Sequence, residues 1–166
     1  MKLIVHDLTA QQETALGLRR PDTHVVSDDG TIHACIGCFG CWVKTPGQCV
    51  IRDAYGDMGS LMGHCDEYIL ISRCCYGGFS PFVKNVMDRS ISYSHPDFCI
   101  RGGEMHHRHR YANRLAFRVF LYGDDLSDEE KATAEGLVQA NALNFEAAAT
   151  SLRFVQRWEE LVGGVL

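Results

Sequence analysis

Tyr68-Ile69-Leu70-Ile71 is the segment that most restricts the fold: four consecutive residues whose side chains are apolar on both faces of a strand. Such a strand is buried above and below, as in the middle of a parallel sheet covered by helices. The sequence that follows starts a helix with a clear signal. Ser80 is an N-cap residue and Pro81 occupies the first helical position, while Phe82, Val83, Val86 and Met87 form one apolar stripe.

The same alternation recurs along the chain. Lys2 to His6, His24 to Ser27, Leu115 to Leu121 and Leu152 to Val155 read as further strands. A weak helical pattern over Gln11 to Arg20 closes at Pro21, and Asp53 can cap a helix whose Met58, Leu61 and Met62 share a face. The sequence Ser127-Asp128-Glu129-Glu130 is a capping box opening a helix to about Glu146. Asp28-Asp29-Gly30-Thr31 is a turn in which glycine supplies positive φ. Residues 92–113 are polar, rich in His and Arg, and read as a long irregular loop.

Five strands alternating with helices imply right-handed crossovers and a three-layer α/β sandwich. At 166 residues this is one domain, 1–166, of the flavodoxin-like doubly wound type, with a parallel sheet of order 2-1-3-4-5. Ligands of that fold bind at the carboxyl ends of the strands, beside the first and third.

Chemistry is concentrated in Cys35-Ile36-Gly37-Cys38-Phe39-Gly40-Cys41, with Cys49 closing a loop over residues 35–49. Three cysteines at two-residue gaps can turn their sulfurs toward one centre, as an iron–sulfur cluster or a soft metal requires. The metal-ligand candidates are therefore Cys35, Cys38, Cys41 and Cys49, with a [4Fe-4S] cluster ahead of zinc. Free thiols packed in a loop are the plain alternative. Cys65, Cys74, Cys75 and Cys99 have no ligand spacing and read as small buried hydrophobes.

The formal charge of -5 argues against nucleic-acid binding. No apolar run approaches the roughly 20 residues that span a bilayer. Eight cysteines without an export signal read as reduced thiols, metal ligands or redox groups and not as disulfides, which makes the cytoplasm the expected compartment. The local cationic run His106-His107-Arg108-His109-Arg110, with Arg101 and Arg114, is either a solvated loop or an anion site for a nucleotide phosphate. Lys84, Asp88 and Arg89 fit a local ion pair and a dimer contact.

Taken together, Lys2 to Val5, the Cys35–Trp42 run, Gly47 to Asp53, Tyr76 to Ser80, Lys84 and Asp88-Arg89 resemble the NADPH-dependent FMN reductase group of flavodoxin-like proteins, in its cysteine-containing branch with the iron–sulfur flavoproteins. The resemblance covers about residues 33–90. It implies an FMN-binding redox protein, possessing a nicotinamide nucleotide or protein electron donor and forming a homodimer or higher homo-oligomer. It also assigns Tyr76, Gly77, Gly78 and Ser80 to the flavin loop, where backbone N–H groups meet the ring. Thr9 and Arg73 are the candidates for the phosphate, and Tyr122 and Gly123 line the same edge.

Two departures stand out. The phosphate loop of the family is rich in Gly, Ser, Arg, Asn and Thr, whereas this chain has Asp7-Leu8-Thr9-Ala10-Gln11-Gln12, without glycine and with an acid at its start. The flavin loop of the family opens Ser-Pro-aliphatic-Tyr, whereas this chain has Ser72-Arg73-Cys74-Cys75. The alternatives are a non-catalytic flavodoxin-like partner protein with a degenerate FMN phosphate loop, and a thiol-based metal or redox sensor.

Overall fold

The computed structural model describes residues 1–166. Its centre is a five-stranded parallel sheet built from β1 (Lys2–His6), β2 (Thr23–Ser27), β3 (Glu67–Arg73), β6 (Ala116–Tyr122) and β7 (Ala149–Val155), in the order β2-β1-β3-β6-β7. Renumbered without the two hairpin strands described below, that order is 2-1-3-4-5, the flavodoxin-like topology. In register, Ile4 of β1 lies beside Val25 of β2 and Ile69 of β3.

Alternation along the strands divides the core in two. Leu3, Val5, Tyr68, Leu70, Phe117 and Val119 point to one face. There they meet α3 (Met58–Gly63), α4 (Pro81–Arg89) and α5 (Asp128–Asn144) in a cluster of 22 buried residues. Ile4, Ile69, Ile71 and Phe120 point the other way, to α1 (Ala10–Leu16) and a C-terminal turn carrying Leu161 and Val165. That second cluster has only 10 buried residues, and the seven-residue α1 supplies one of them, Leu16, with Leu8 and Leu18 flanking it.

Helix ends follow local chemistry. The Ser80 hydroxyl accepts from Val83 N–H at the start of α4, and Ser127 and Glu130 form the expected capping box of α5. α1 ends where Gly17 takes φ 60°, the left-handed conformation that glycine adopts without steric cost.

Three expectations need correction. Asp53 does not cap α3; Asp57 stands at that position, and Asp53 is bound elsewhere. The stretch 92–113 is not an irregular loop. It contains a 3-10 turn at Ser90–Tyr93 and an antiparallel hairpin of β4 (Ser94–Arg101) and β5 (Glu104–His109). Gly102 and Gly103, at φ 57° and 87°, make the tight turn between them. The third concerns the cysteine loop, which also contains the single turn α2 (Gly40–Val43). It leaves β2 at the carboxyl edge but does not stay there, and packs on the far end of α4. No helix is long and apolar enough to cross a membrane.

Candidate functional site

At the carboxyl edge of the sheet, Asp7 occupies the middle. Its Oδ2 accepts the Arg73 backbone N–H at 2.9 Å, and its Oδ1 accepts the Tyr122 hydroxyl at 3.0 Å. Burial, reinforced by the neighbouring Asp7 carboxylate, pushes the Tyr122 phenol well above its usual range, so it stays protonated and donates. Tyr122 therefore ties β6 to β1 instead of lining an open site. Gly123 N–H donates to Val155 O at 3.2 Å, which closes the next step of the edge.

The start of α1 is equally occupied. Thr9 Oγ1 accepts from Gln12 N–H at 3.3 Å, while Gln12 Oε1 accepts from Thr9 N–H at 2.8 Å. Two of the amides that would cradle a phosphate, those of Thr9 and Gln12, are spent on this capping box, which leaves only Ala10 and Gln11 in the first turn, and the Asp7 carboxylate stands two residues before Thr9. A phosphate dianion brought here would displace two hydrogen bonds and face a like charge. The residues present do not fit an FMN phosphate at this position.

The loop after β3 is partly committed as well. Cys75 and Gly78 exchange both backbone hydrogen bonds, at 2.9 and 2.8 Å, around Tyr76 and Gly77. Both central residues have positive φ, 53° and 78°, the pattern of a type I′ turn. Ser80 N–H donates to Ser72 Oγ at 2.8 Å. Gly78 and Ser80 thus give their amides to the protein, contrary to the expectation that they face the flavin. The turn is braced on α5, since a Cβ on Gly77 would lie 2.7 Å from Glu130 O. What this edge presents outward is the Tyr76 ring, 93 % exposed at the tip of the turn, and the exposed Arg73 side chain.

The cysteine loop is arranged around Arg89, whose side chain is fully buried at the last position of α4. Its Nη1 and Nη2 reach Asp53 Oδ2 and Oδ1 at 2.7 and 2.8 Å, a bidentate pair, and Nη1 also donates to His33 O at 2.8 Å. Its Nε donates to Cys49 Sγ at 3.2 Å. Asp53 further accepts His33 and Tyr55 N–H groups. The guanidinium holds the Asp53 carboxyl at about 2, far below its usual range, despite its burial. Arg89 is thus neither a surface ion-pair residue nor a dimer contact. The local pair is Lys84–Asp88, at 2.5 Å.

This buried charge explains where the loop lies. A guanidinium out of water demands a carboxylate and carbonyls, and residues 33–53 bring them to it. Cys49 therefore sits at one end of the nine-residue α4, with Ser80 at the other, about 13 Å apart at 1.5 Å per residue, whereas Cys35 borders a cavity that Phe79 of the flavin loop also lines. Cys49 is thus held away from the flavin edge by its bond to Arg89.

Cys35, Cys38, Cys41 and Cys49 all border one small cavity of about 40 Å³. Burial raises the Cys41 thiol, and the neighbouring sulfurs of Cys49, Cys35 and Cys38 raise it further. Gly40 N–H donates to Cys38 Sγ at 3.5 Å, and only glycine fits there, because a Cβ would lie 2.6 Å from Val50 Cγ1. Even so, no group of three or more Cys, His, Asp or Glu side chains is gathered closely enough to hold a metal ion. The four-cysteine ligand set is not assembled in this geometry. Cys49 is engaged by Arg89 and Cys38 by Gly40, and the cavity holds a few waters at most.

Part of the cationic run is engaged too, while Arg108 and Arg114 are exposed. Arg101 pairs with Glu146 at 2.7 Å and donates to the His107 carbonyl, and Arg110 Nε donates to Ser92 O at 3.0 Å. They brace the hairpin, and no anion site is formed by them. Sequence reasoning missed Arg89 with Asp53 because the pair spans 36 positions, and nothing local marks it. The closure at α1 was legible, since Thr9-x-x-Gln12 is a capping-box signature.

Comparison with protein-family models and with curated proteins returns no match. Comparison with solved structures does. The FMN-dependent NADH-azoreductase from Bacillus anthracis str. Ames Ancestor, in complex with FMN, superposes with a TM-score of 0.56 at 10 % identity. The match covers 99 % of this chain and 93 % of that one. At that identity it establishes the flavodoxin-like fold.

Proposed function

We propose that this chain is a flavodoxin-like redox protein of the flavin-reductase type, which meets FMN as a passing substrate and not as a resident cofactor. The observation that carries this reading is the closed phosphate position beside an outward aromatic. The Asp7 carboxylate and the Thr9–Gln12 box, which spends two of the first-turn amides, oppose a dianion where it would anchor, while Tyr76 stands exposed on a turn. A planar ring can stack on Tyr76, with Arg73 near its polar edge, and then leave. The fold shared with an FMN-containing azoreductase supports flavin as the ring in question. The matching reaction class is hydride delivery from a nicotinamide nucleotide to flavin, with product flavin released. Assembly as a homodimer is supported by exposed Ile36, Phe39 and Val43 on the cysteine loop and Phe98, Ile100 and Met105 on the hairpin.

Quenching of FMN fluorescence on titration with the full chain tests the reading. Saturable binding is expected with Kd weaker than about 1 µM, that is, less favourable than about -8 kcal/mol. The Tyr76→Ala variant should lose at least tenfold in affinity. Undiminished binding by Tyr76→Ala would remove the site from this edge.

A second reading is favoured by the four cysteines sharing one cavity: a [4Fe-4S] cluster held by Cys35, Cys38, Cys41 and Cys49 after Cys49 leaves Arg89. Anaerobic purification with iron and sulfide analysis decides it. Four of each per chain would establish the cluster, and their absence would leave the cysteines as thiols.

A further inference from the structure

Between α4 and α5 lies a cavity of about 490 Å³, bordered also by Ser94 and His107 of the β4–β5 hairpin and by Cys35 and Gly37 of the cysteine loop. That volume is in the range of small-molecule sites. Its walls are apolar, with Phe79 and Met87 from the α4 side and Leu137 and Phe145 from the α5 side. Lys84 and Asp88 also border it, but they neutralise each other in a bidentate pair at 2.5 and 2.7 Å, so the cavity presents no unpaired charge from them.

Its polar groups are specific. Tyr93 borders the cavity, is 2 % exposed, and its hydroxyl has no hydrogen-bond partner in the chain. That hydroxyl lies beneath the wall, on the side of Cys65 and Glu146, so Tyr93 offers the cavity its ring and not its oxygen. Burial raises the Tyr93 phenol to about 12, so it remains neutral. His107, also on the wall, places Nδ1 at 2.9 Å from the His95 carbonyl. A carbonyl can only accept, so the neutral ring carries its proton on Nδ1 and leaves Nε2 as an acceptor. Asn141 spends Nδ2 on Leu137 O at 2.8 Å and retains its carbonyl oxygen. The wall therefore combines aromatic rings with acceptors seeking a donor, and its lysine and carboxylate are paired with each other.

We propose that this cavity binds a neutral aromatic molecule bearing a hydroxyl, and that the bound molecule covers the Cys35 thiol. Cys35 is the link between two regions, since it borders this cavity and the small one shared with Cys38, Cys41 and Cys49. Cys38 borders only the latter, although both residues are exposed. Occupancy is thereby coupled to the reactivity of one cysteine of the loop and not of its neighbour. Tyr76 does not border this site, and the proposal stands whether or not flavin stacks on that ring.

The test uses 2-naphthol as the probe, with 2-naphthoate and naphthalene as comparators, on the full chain. Saturable one-to-one binding of 2-naphthol is expected, at least tenfold tighter than 2-naphthoate. Bound 2-naphthol should slow iodoacetamide alkylation of Cys35, resolved by peptide mass spectrometry, and leave Cys38 unchanged. Leu137→Trp fills the cavity and should abolish both effects. Asn141→Leu keeps the bulk of the side chain but removes the acceptor, and should weaken 2-naphthol about fivefold while leaving naphthalene unaffected, a difference that a folding defect could not produce. No saturable binding below 1 mM, binding indifferent to both substitutions, or equal protection of Cys35 and Cys38 would each overturn the proposal.

Discussion

The carboxyl edge of the sheet and the cysteine loop hold themselves together by opposite means. At the edge, regular strands bring Asp7, Arg73 and Tyr122 side by side, and each polar group finds a neighbour within the ladder or at a cap. In the loop, residues 28–57 carry almost no regular structure, and order depends on one buried arginine collecting Asp53, His33 and Cys49. The edge has many small restraints, so the loss of one is modest. The loop has a single central one. The fold's usual ligand position is consequently closed by its own polar groups, while the region with reactive sulfurs hangs on a charge far from it.

The strongest way to break this contrast is Arg89→Met. Asp53, 4 % exposed at its side chain, is left without its cation, and a loss of about 3–5 kcal/mol in chemical denaturation is expected. Hydrogen exchange should show opening across 33–53 before β1 and β3. Replacing Asp53 by Leu in the same chain should restore part of the loss, since the buried charge is then gone.

Acid titration gives the next largest effect. The Asp53 carboxyl falls from an ordinary 3.8 to about 2 in the folded chain, so its contribution is complete above 3.8 and is lost as pH falls toward 2. That shift is worth about 2 kcal/mol, and Asp53→Asn should flatten this part of the stability–pH curve. His6 acts earlier. Burial lowers its basicity below the ordinary 6.5 in spite of Glu13 at 3.0 Å, so the unfolded chain takes up a proton that the folded one refuses. Stability should decline as pH drops below 6.5, and His6→Gln should remove that slope.

A smaller effect is expected at the edge itself. Thr9→Ala removes one half of the α1 capping box and should cost about 1 kcal/mol in thermal or chemical unfolding. A loss as large as that of Arg89→Met would erase the distinction between many restraints and one.

Much of the fold was legible because strand burial and caps are local. The β3 run, the Ser80-Pro81 start and the Ser127 box mark elements that appear within about two residues of their expected bounds. The hairpin was obscured by composition. Its strands carry His and Arg with apolar Phe98, Ile100 and Met105 facing solvent, so the alternation did not suggest a core face, although Gly102-Gly103 is a hairpin turn signal. The site was less legible. Cysteine spacing marks a reactive loop but not its position, which depends on an Arg–Asp contact remote in sequence. Whether an amide is free for a ligand is likewise decided by partners such as Cys75 and Ser72, found only when the chain is folded.

The ratio of affinities for FMN and riboflavin tests the central claim most directly. With the phosphate position closed by Asp7 and the Thr9–Gln12 box, the two should bind within about threefold of each other, and Asp7→Asn should favour FMN selectively by relieving one like charge. FMN binding a hundredfold or more tighter than riboflavin in the unaltered chain, about 2.7 kcal/mol carried by the phosphate, would contradict the account.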